Sequence, residues 1–329
     1  MAQQVFAYII HKDGVADDTA LELIAAAEKL DPDAWVTAVV AGAGSELDSV
    51  CNEVASSFAE VWKIDNPALA YVTAEVLRPL LVRILPKRGI VLVPHDHFGM
   101  DLSPGLSIKL DAAYLPDAVD FEGIDNGKLK AVREEYAGQV STHVLSDISQ
   151  GAVITVRPGS FKADERKSGD GHVIDKTAQA IESGLPVGGR RFLEIIEAQV
   201  GEVDITKSDI LVSVGRGIED QDNMEMIFEL AEAMGGDVSC SRPIVDAKWL
   251  EKSRQVGTSG QTVKPKVYMA LGISGAFQHV GGLKGSPFVI AINKNPRAPI
   301  FQVTDVGIVG DILDFIPELT ERINELKSA

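Results

Sequence analysis

Residues 208–246 read SDILVSVGRGIEDQDNMEMIFELAEAMGGDVSCSRPIVD. An apolar run at 210–215 ends in Gly-Arg-Gly, residues 222–234 repeat their apolar side chains with helical period, and a further run leads into Ser241-Arg242-Pro243. Strand, turn, helix and strand in that order form the repeating unit of a parallel sheet covered by helices. Downstream, residues 267–272, 288–293 and 300–303 are expected strands. Residues 311–326 read as a closing helix, with Ile312, Phe315, Leu319, Ile323 and Leu326 at helical spacing and Pro317 marking a kink or a start.

The same alternation opens the chain. Residues 5–10 (VFAYII), 35–41 (WVTAVVA) and 90–94 (IVLVP) are short Val- and Ile-rich runs, and 18–30 and 69–85 between them have helical period. After Lys109 the segments 112–121, 129–135, 143–145 and 152–157 are short and turn-bounded, which predicts antiparallel additions to that sheet. Residues 158–189 are polar and Gly-rich, and read as an arm rather than core. The expected fold is therefore α/β in two domains. Residues 1–204 form an N-terminal parallel-sheet domain with antiparallel additions and the arm, and residues 205–329 form a Rossmann-like C-terminal domain.

Charge narrows the function. Across 329 residues, 31 basic side chains stand against 48 acidic ones, and a net charge of −17 repels nucleic acid and anionic lipid. Two distant cysteines, Cys51 and Cys240, support neither a disulfide framework nor a zinc or iron–sulfur site. The first residues carry no basic leader and no long apolar run, so the expectation is a cytoplasmic protein without membrane insertion. Against this background, residues 249–299 hold Lys252, Arg254, Lys264, Lys266, Lys284, Lys294 and Arg297 with only Glu251 opposing them. Such an island fits a cradled anion or a solvated basic face.

Several short stretches could carry chemistry. Gly215-Arg216-Gly217 is placed to bring backbone against a phosphate, but Asp220 stands where a dinucleotide fingerprint has its third glycine, and an ordinary tight turn reads the same. Arg242, followed by Pro243, could present a fixed guanidinium, or be a surface Arg behind a capping Ser241. Gln255-Val256-Gly257-Thr258-Ser259-Gly260 and the run from Gly272 through Ser274, Gly275, Ala276, Phe277 and Gln278 to His279 are donor-rich loops of small residues. Ala276 stands where a nucleophile elbow needs glycine, which excludes Ser274 as a hydrolase serine. His95 and His97 would share one face if the strand before them continued, a spacing suited to a metal, but no third ligand is specified and no metal is expected.

Taken in order, VSVGRG (212–217), SRPIVDAKWL (241–250), QVGTSGQTV (255–263), LGISGAFQHVGGLKG (271–285) and VIAINKNPRAPIFQVTDVGIVGD (289–311) resemble the FAD-binding half of the electron-transfer flavoprotein alpha-subunit (FixB) family. GMDLSPGLSIKL (99–110) and AVITVRPGSF (152–161) agree more loosely with its first domain. The resemblance implies one FAD on this chain, in a DHS-like Rossmann variant. By position it assigns Arg216 and the loop Gln255, Val256, Gly257, Thr258, Ser259 to the pyrophosphate or flavin, and Ser241 with Arg242 to the isoalloxazine. The loop holding Gly272, Ser274, Gly275, Ala276, Phe277, Gln278 and His279 is assigned to the flavin and ribityl chain, and Asn293 and Asp311 to the adenosine end. Ser259 replaces the threonine common in relatives, which preserves a hydroxyl. Arg242 and His279 are the groups expected to favour negative charge on the flavin, in a family that carries electrons through a semiquinone.

The resemblance further implies a heterodimer with a beta subunit carrying AMP or a second FAD, and an interface formed in part by residues 158–207. It implies electron delivery from acyl-CoA or other dehydrogenases, as in beta-oxidation, to a quinone-linked oxidoreductase or another redox acceptor. The resemblance thus implies a carrier rather than an enzyme. Three alternatives stand beside it: an electron-bifurcating complex in which the second FAD oxidises NADH; a nucleotide-binding hydrolase, for which neither SGGxDS nor GxxxxGK[ST] is present; and a non-redox nucleotide-binding or scaffolding subunit with a vestigial FAD site, against which the matching Arg, hydroxyl and His positions are intact.

Overall fold

The computed structural model describes residues 3–136, 140–162, 171–186, 188–190, 192–194, 203–285 and 287–328. The chain forms two compact units, residues 1–194 and 195–329.

The first unit is built on a nine-stranded sheet. Its strands are β1 (Gln4–Tyr8), β4 (Trp35–Gly42), β5 (Glu60–Asp65), β6 (Ile90–Pro94), β7 (Ala113–Asp125), β8 (Lys128–Glu135), β9 (Val140–Asp147), β10 (Ala152–Val156) and β11 (His172–Asp175), while β2 (His11–Lys12) and β3 (Val15–Ala16) make a separate small ribbon. The order is β11-β5-β4-β1-β6-β10-β7-β8-β9, parallel from β11 to β7 and antiparallel only where β8 and β9 are added. Strand alternation divides the core between the two faces. Val5, Ala7 and Ile9 pack under α1 (Thr19–Leu30) and α2 (Gly44–Ala55), whereas Phe6 and Tyr8 pack under α3 (Ala74–Ile84) and α4 (His97–Leu110). In α1 the buried Leu23, Ala26, Ala27 and Leu30 recur at the spacing that makes one apolar stripe.

Two sequence expectations are corrected here. Residues 152–157 do not form an antiparallel addition. All five residues of β10 are buried, and it lies parallel between β6 and β7, as an unbroken apolar run covered on both faces should. Nor is the whole of 158–189 an arm. Residues 172–175 pair with β5, and α5 (Thr177–Ala180) buries Ala180 against the second core. The return is fixed by Thr177 Oγ1, which accepts the Asp65 N–H at 2.8 Å, and by Arg83, which donates to the carbonyls of Ala180 and Gly184 at 2.7 and 2.8 Å. Residues 163–170 and 195–202, which the arm and interface expectation also covered, lie outside the described residues.

The second unit has five parallel strands, β12 (Ile210–Val214), β13 (Asp237–Cys240), β14 (Val267–Leu271), β15 (Phe288–Asn293) and β16 (Val306–Val309), in the order β13-β12-β14-β15-β16. One face is covered by α6 (Met224–Met234), α7 (Arg242–Asp246) and α9 (Ile312–Ser328), whose Ile227, Leu230, Ile244, Ile312 and Ile316 are buried on Val212, Val214, Met269 and Leu271. The other face is covered largely by loops and the short α8 (Phe277–Val280): Val256, Val263, Ile273, Ala298 and Ile300 close over Leu211, Tyr268, Ala270 and Ala291. Residues 300–303 are not a strand. Pro299 opens a 3-10 turn, Pro299–Gln302, since its fixed φ suits a first helical position, and the last strand forms six residues later.

Candidate functional site

An open parallel sheet binds ligands beyond the carboxyl ends of its strands, where the strand order reverses. The first unit reverses between β1 and β6, and the helix N-termini at its carboxyl edge are already taken by carboxylates of the chain, Asp96 next to the reversal and Asp65 two strands away at the end of β5. Asp65 accepts the Gly44 N–H at the start of α2, and Asp96 accepts the Gly99 N–H at the start of α4 at 2.7 Å. Burial raises the Asp96 pKa, and its N-terminal hydrogen bond opposes that rise. A phosphate would meet like charge at both helix ends.

The motif-bearing histidines beside it are apart. The strand stops at Pro94, so His95 and His97 do not share its face. His95 Nδ1 is 2.7 Å from Thr155 Oγ1, with Nε2 3.8 Å from Asp117, while His97 opens α4 on the exterior. Arg157 grips Asp117 through two nitrogens, at 2.9 and 2.7 Å, and holds its carboxyl below the usual range despite burial. Among the described residues no group of three or more His, Cys, Asp or Glu could hold a metal.

The second unit reverses between β12 and β14, and there the sequence motifs converge. The Gly215 N–H donates to Leu271 at 2.8 Å and the Gly217 N–H to Gly272 at 3.1 Å, so the turns after the two strands cross backbone on backbone. A Cβ on Gly217 would lie 2.6 Å from the Gly272 Cα, and Gly272 itself has φ +62°. Only glycine permits that crossing. It leaves Arg216 exposed beside the crevice.

The neighbouring turns are tied to the same edge. The Ser241 N–H donates to Val214 at 3.0 Å, which sets buried Ser241 and exposed Arg242 beyond β13; Arg242 makes a loose 3.5 Å ion pair with Asp246. The chain then returns along β13, where the Val256 N–H donates to Cys240 at 2.9 Å. Buried Gln255 donates to Ser259 Oγ at 2.9 Å and stiffens the loop from inside, while Thr258 and Ser259 face outward. The Thr258 N–H donates to the Gln278 carbonyl at 2.7 Å, joining this loop to the turn at 276–280. Gly275 seats against Ile300, whose N–H donates to Ser274, leaving Ser274, Ala276 and Gln278 exposed. Exposed donors thus stand on buried, cross-braced backbone.

His279 is different. It is 7% exposed, its Nε2 is 2.7 Å from the hydroxyl of fully buried Tyr268, and its Nδ1 is buried without a hydrogen bond of good geometry. Burial lowers its pKa to about 4 against a small opposing effect of the Val256 backbone, so the ring is neutral near pH 7.

At the far end of the edge, Asn293 donates to Ile273 at 2.8 Å and accepts from the Asn295 N–H at 2.9 Å. Asp311 accepts the Leu313 N–H at the start of α9 and takes Lys294 at 2.8 Å, and Lys294 also reaches Glu219 at 2.7 Å. These contacts lower the Asp311 pKa and raise that of Lys294. Both residues thereby brace the turns after β12, β15 and β16. The basic island does not form one patch. Lys266 pairs with Asp209 at the amino edge, at 2.8 Å, Arg254 donates to the Val238 carbonyl, and Lys294 is braced at the carboxyl edge.

Tyr268, Ser213 and Ser239 were not among the sequence candidates. Their signal is polarity within otherwise apolar strands: VYMAL for β14, and Ser213 paired in register with Ser239 across β12 and β13.

The family described as "Electron transfer flavoprotein domain" matches residues 5–181, and "Electron transfer flavoprotein FAD-binding domain" matches residues 204–284. The chain is similar to the electron transfer flavoprotein subunit alpha of Thermoanaerobacterium thermosaccharolyticum, with 34% identity over 99% of both chains. It is 33% identical to protein FixB of Clostridium saccharobutylicum, over 99% of this chain and 97% of that one. It is 31% identical to subunit LctC of the lactate dehydrogenase (NAD(+),ferredoxin) of Acetobacterium woodii, over 96% of this chain and 76% of that one.

Proposed function

This chain belongs to the electron transfer flavoprotein alpha-subunit family and carries its FAD-binding domain, and from that premise we propose that it holds one FAD at the carboxyl edge of the second sheet and serves, with a beta subunit, as an electron carrier. The observation that carries the reading is the convergence of both donor loops on the β12/β14 reversal, joined there through Thr258 and Gln278. The donor set fits the cofactor. Arg216 offers a permanent charge to a phosphate beside backbone N–H groups, and Thr258, Ser259 and Ser274 offer hydroxyls.

FAD bound there would supply reversible electron uptake, singly or in pairs. The chain's contribution is binding and electrostatics. Exposed Arg242 brings a guanidinium that cannot deprotonate and favours added negative charge, and its loose pair with Asp246 leaves it free to turn to a ligand. Rigid, buried backbone at Val256, Gly257 and Gly275 holds the outward donors in place and keeps water from beneath them.

A cytoplasmic heterodimer taking electrons from acyl-CoA or other dehydrogenases and yielding them to a quinone-linked or other redox acceptor is the corresponding setting. No helix among the described residues is long and apolar enough to cross a membrane. The likeness to LctC favours a second reading, in which a second FAD on the beta subunit oxidises NADH and this chain relays one of its electrons.

Co-expression with the beta subunit, a flavin count and anaerobic stepwise reduction test the proposal. One FAD per heterodimer supports the carrier, two with reduction by NADH support the second reading, and a flavin-free complex refutes both. In the carrier, Arg242→Ala is expected to keep FAD and lower the potential for the first electron by roughly 60 mV, the equivalent of one weak charge-assisted hydrogen bond. An unchanged potential would remove Arg242 from this role.

A further inference from the structure

Four polar side chains are buried together beneath the donor loops: Ser213 on β12, Ser239 on β13, Tyr268 on β14 and His279 in the turn after it. Three apolar strands would be expected to carry apolar side chains here, and burying hydroxyls is costly unless they are used. The short contact is the 2.7 Å approach of Tyr268 Oη to His279 Nε2.

The direction of that hydrogen bond follows from its neighbours. The Ser213 and Ser239 hydroxyls are buried side by side on the same face without a hydrogen bond of good geometry, and both act on Tyr268 in the direction of donors to the phenolic oxygen, lowering its pKa. Burial outweighs them and keeps the phenol protonated. With its oxygen facing donors, the Tyr268 proton goes to the remaining acceptor, His279 Nε2. A neutral imidazole has one N–H, so an accepting Nε2 leaves the proton on Nδ1. Nδ1 is the ring nitrogen left buried without a hydrogen bond of good geometry, with the Val256 backbone as a strained acceptor for the ring, in the turn that closes on Gly257.

We propose that Tyr268 is a positioning residue, holding His279 as the Nδ1-protonated tautomer so that this N–H is kept as a donor for an oxygen acceptor of the bound cofactor. The inference rests on the reading that FAD occupies this edge, but the tautomer itself is a property of the chain with or without flavin.

The test is long-range proton–nitrogen NMR of the heterodimer labelled with 15N-histidine, with His279 assigned by His279→Gln, followed by reductive titration. The wild type is expected to show an unprotonated Nε2 and a protonated Nδ1. Tyr268→Phe, which keeps the ring in the core, is expected to move His279 toward the Nε2-protonated form and to weaken uptake of the first electron about tenfold, about 59 mV. It should add nothing when His279 is already replaced. A merely structural tyrosine would change the melting temperature and leave tautomer and potential alone. A protonated Nε2 in the wild type overturns the inference whether or not the variant folds, as does a Tyr268→Phe protein with the wild-type tautomer and potential. A flavin-free wild type would refute the functional reading, while the tautomer of His279 would still decide the pair.

Discussion

Gly257→Ala is expected to lower FAD affinity by at least about 30-fold while leaving the five-stranded sheet folded. Gly257 has φ +143°, in a region that residues with a Cβ rarely enter, and strain of that kind costs about 1–3 kcal/mol. Sterics add to it: the new Cβ would lie 2.7 Å from the Gln278 carbonyl oxygen and 3.4 Å from the His279 Cα. On the other side there is no room to retreat, because a Cβ on Gly282 would already be 2.4 Å from the Gly257 nitrogen. The substitution must therefore push apart the two loops that the Thr258 N–H and the Gln278 carbonyl hold at 2.7 Å. A combined cost of about 2 kcal/mol corresponds to about 30-fold in binding. Calorimetric titration of the deflavinated heterodimer with FAD measures it, and hydrogen exchange at β14 reports the sheet. Affinity within about threefold of wild type would mean that the junction of these loops is not where FAD binds.

The position of Gly257 illustrates what the sequence could and could not convey. QVGTSG reads as a donor-rich loop of small residues, because glycine and hydroxyl residues without apolar period leave little else. That the loop lies at a carboxyl edge was not legible. It precedes β14 in sequence, and it reaches that edge only because Gln255 bridges Cys240 at the end of β13. Local period placed most strands and helices, since one buried face imposes it, and β6 and β15 end where the apolar runs end. It failed where pairing decides. The run at 152–156 is the same whether its partners are parallel or antiparallel, and its burial on both faces comes from strands far away in sequence. The polar segment at 171–186 carries no apolar stripe, yet it joins the sheet through backbone bonds to β5, which any side chains could make. The basic island misled for a related reason. Charges near in sequence alternate between the two ends of short parallel strands, so Lys266 and Lys294 reach opposite edges.

Acidification is expected to loosen the second unit between about pH 6.5 and about pH 4, through His279. Burial lowers its pKa from the usual 6.5 to about 4, so the native state holds the neutral ring where the unfolded chain binds a proton. A group with a depressed folded-state pKa contributes stability that is present above its unfolded value and lost as pH falls toward the folded one. The loss approaches about 3 kcal/mol below both values and is about 2 kcal/mol at pH 5. Carboxylates held low by their partners, Asp311 and Asp204 in the same unit, act below the ordinary range of aspartate and so in a more acidic window. His95 shifts in the same direction, but it lies in the first unit, so exchange at the amides of β12 and β14 isolates the effect of His279. His279→Gln cannot charge and should flatten the profile from pH 7 to pH 5, whereas the wild type should lose about 8 °C of melting temperature in that unit. A flat wild-type profile would mean that His279 takes its proton without unfolding. Nε2, the nitrogen without a proton in the neutral ring, would then be free to take one in the native state, and the Tyr268 hydroxyl 2.7 Å away would not be the donor that occupies it.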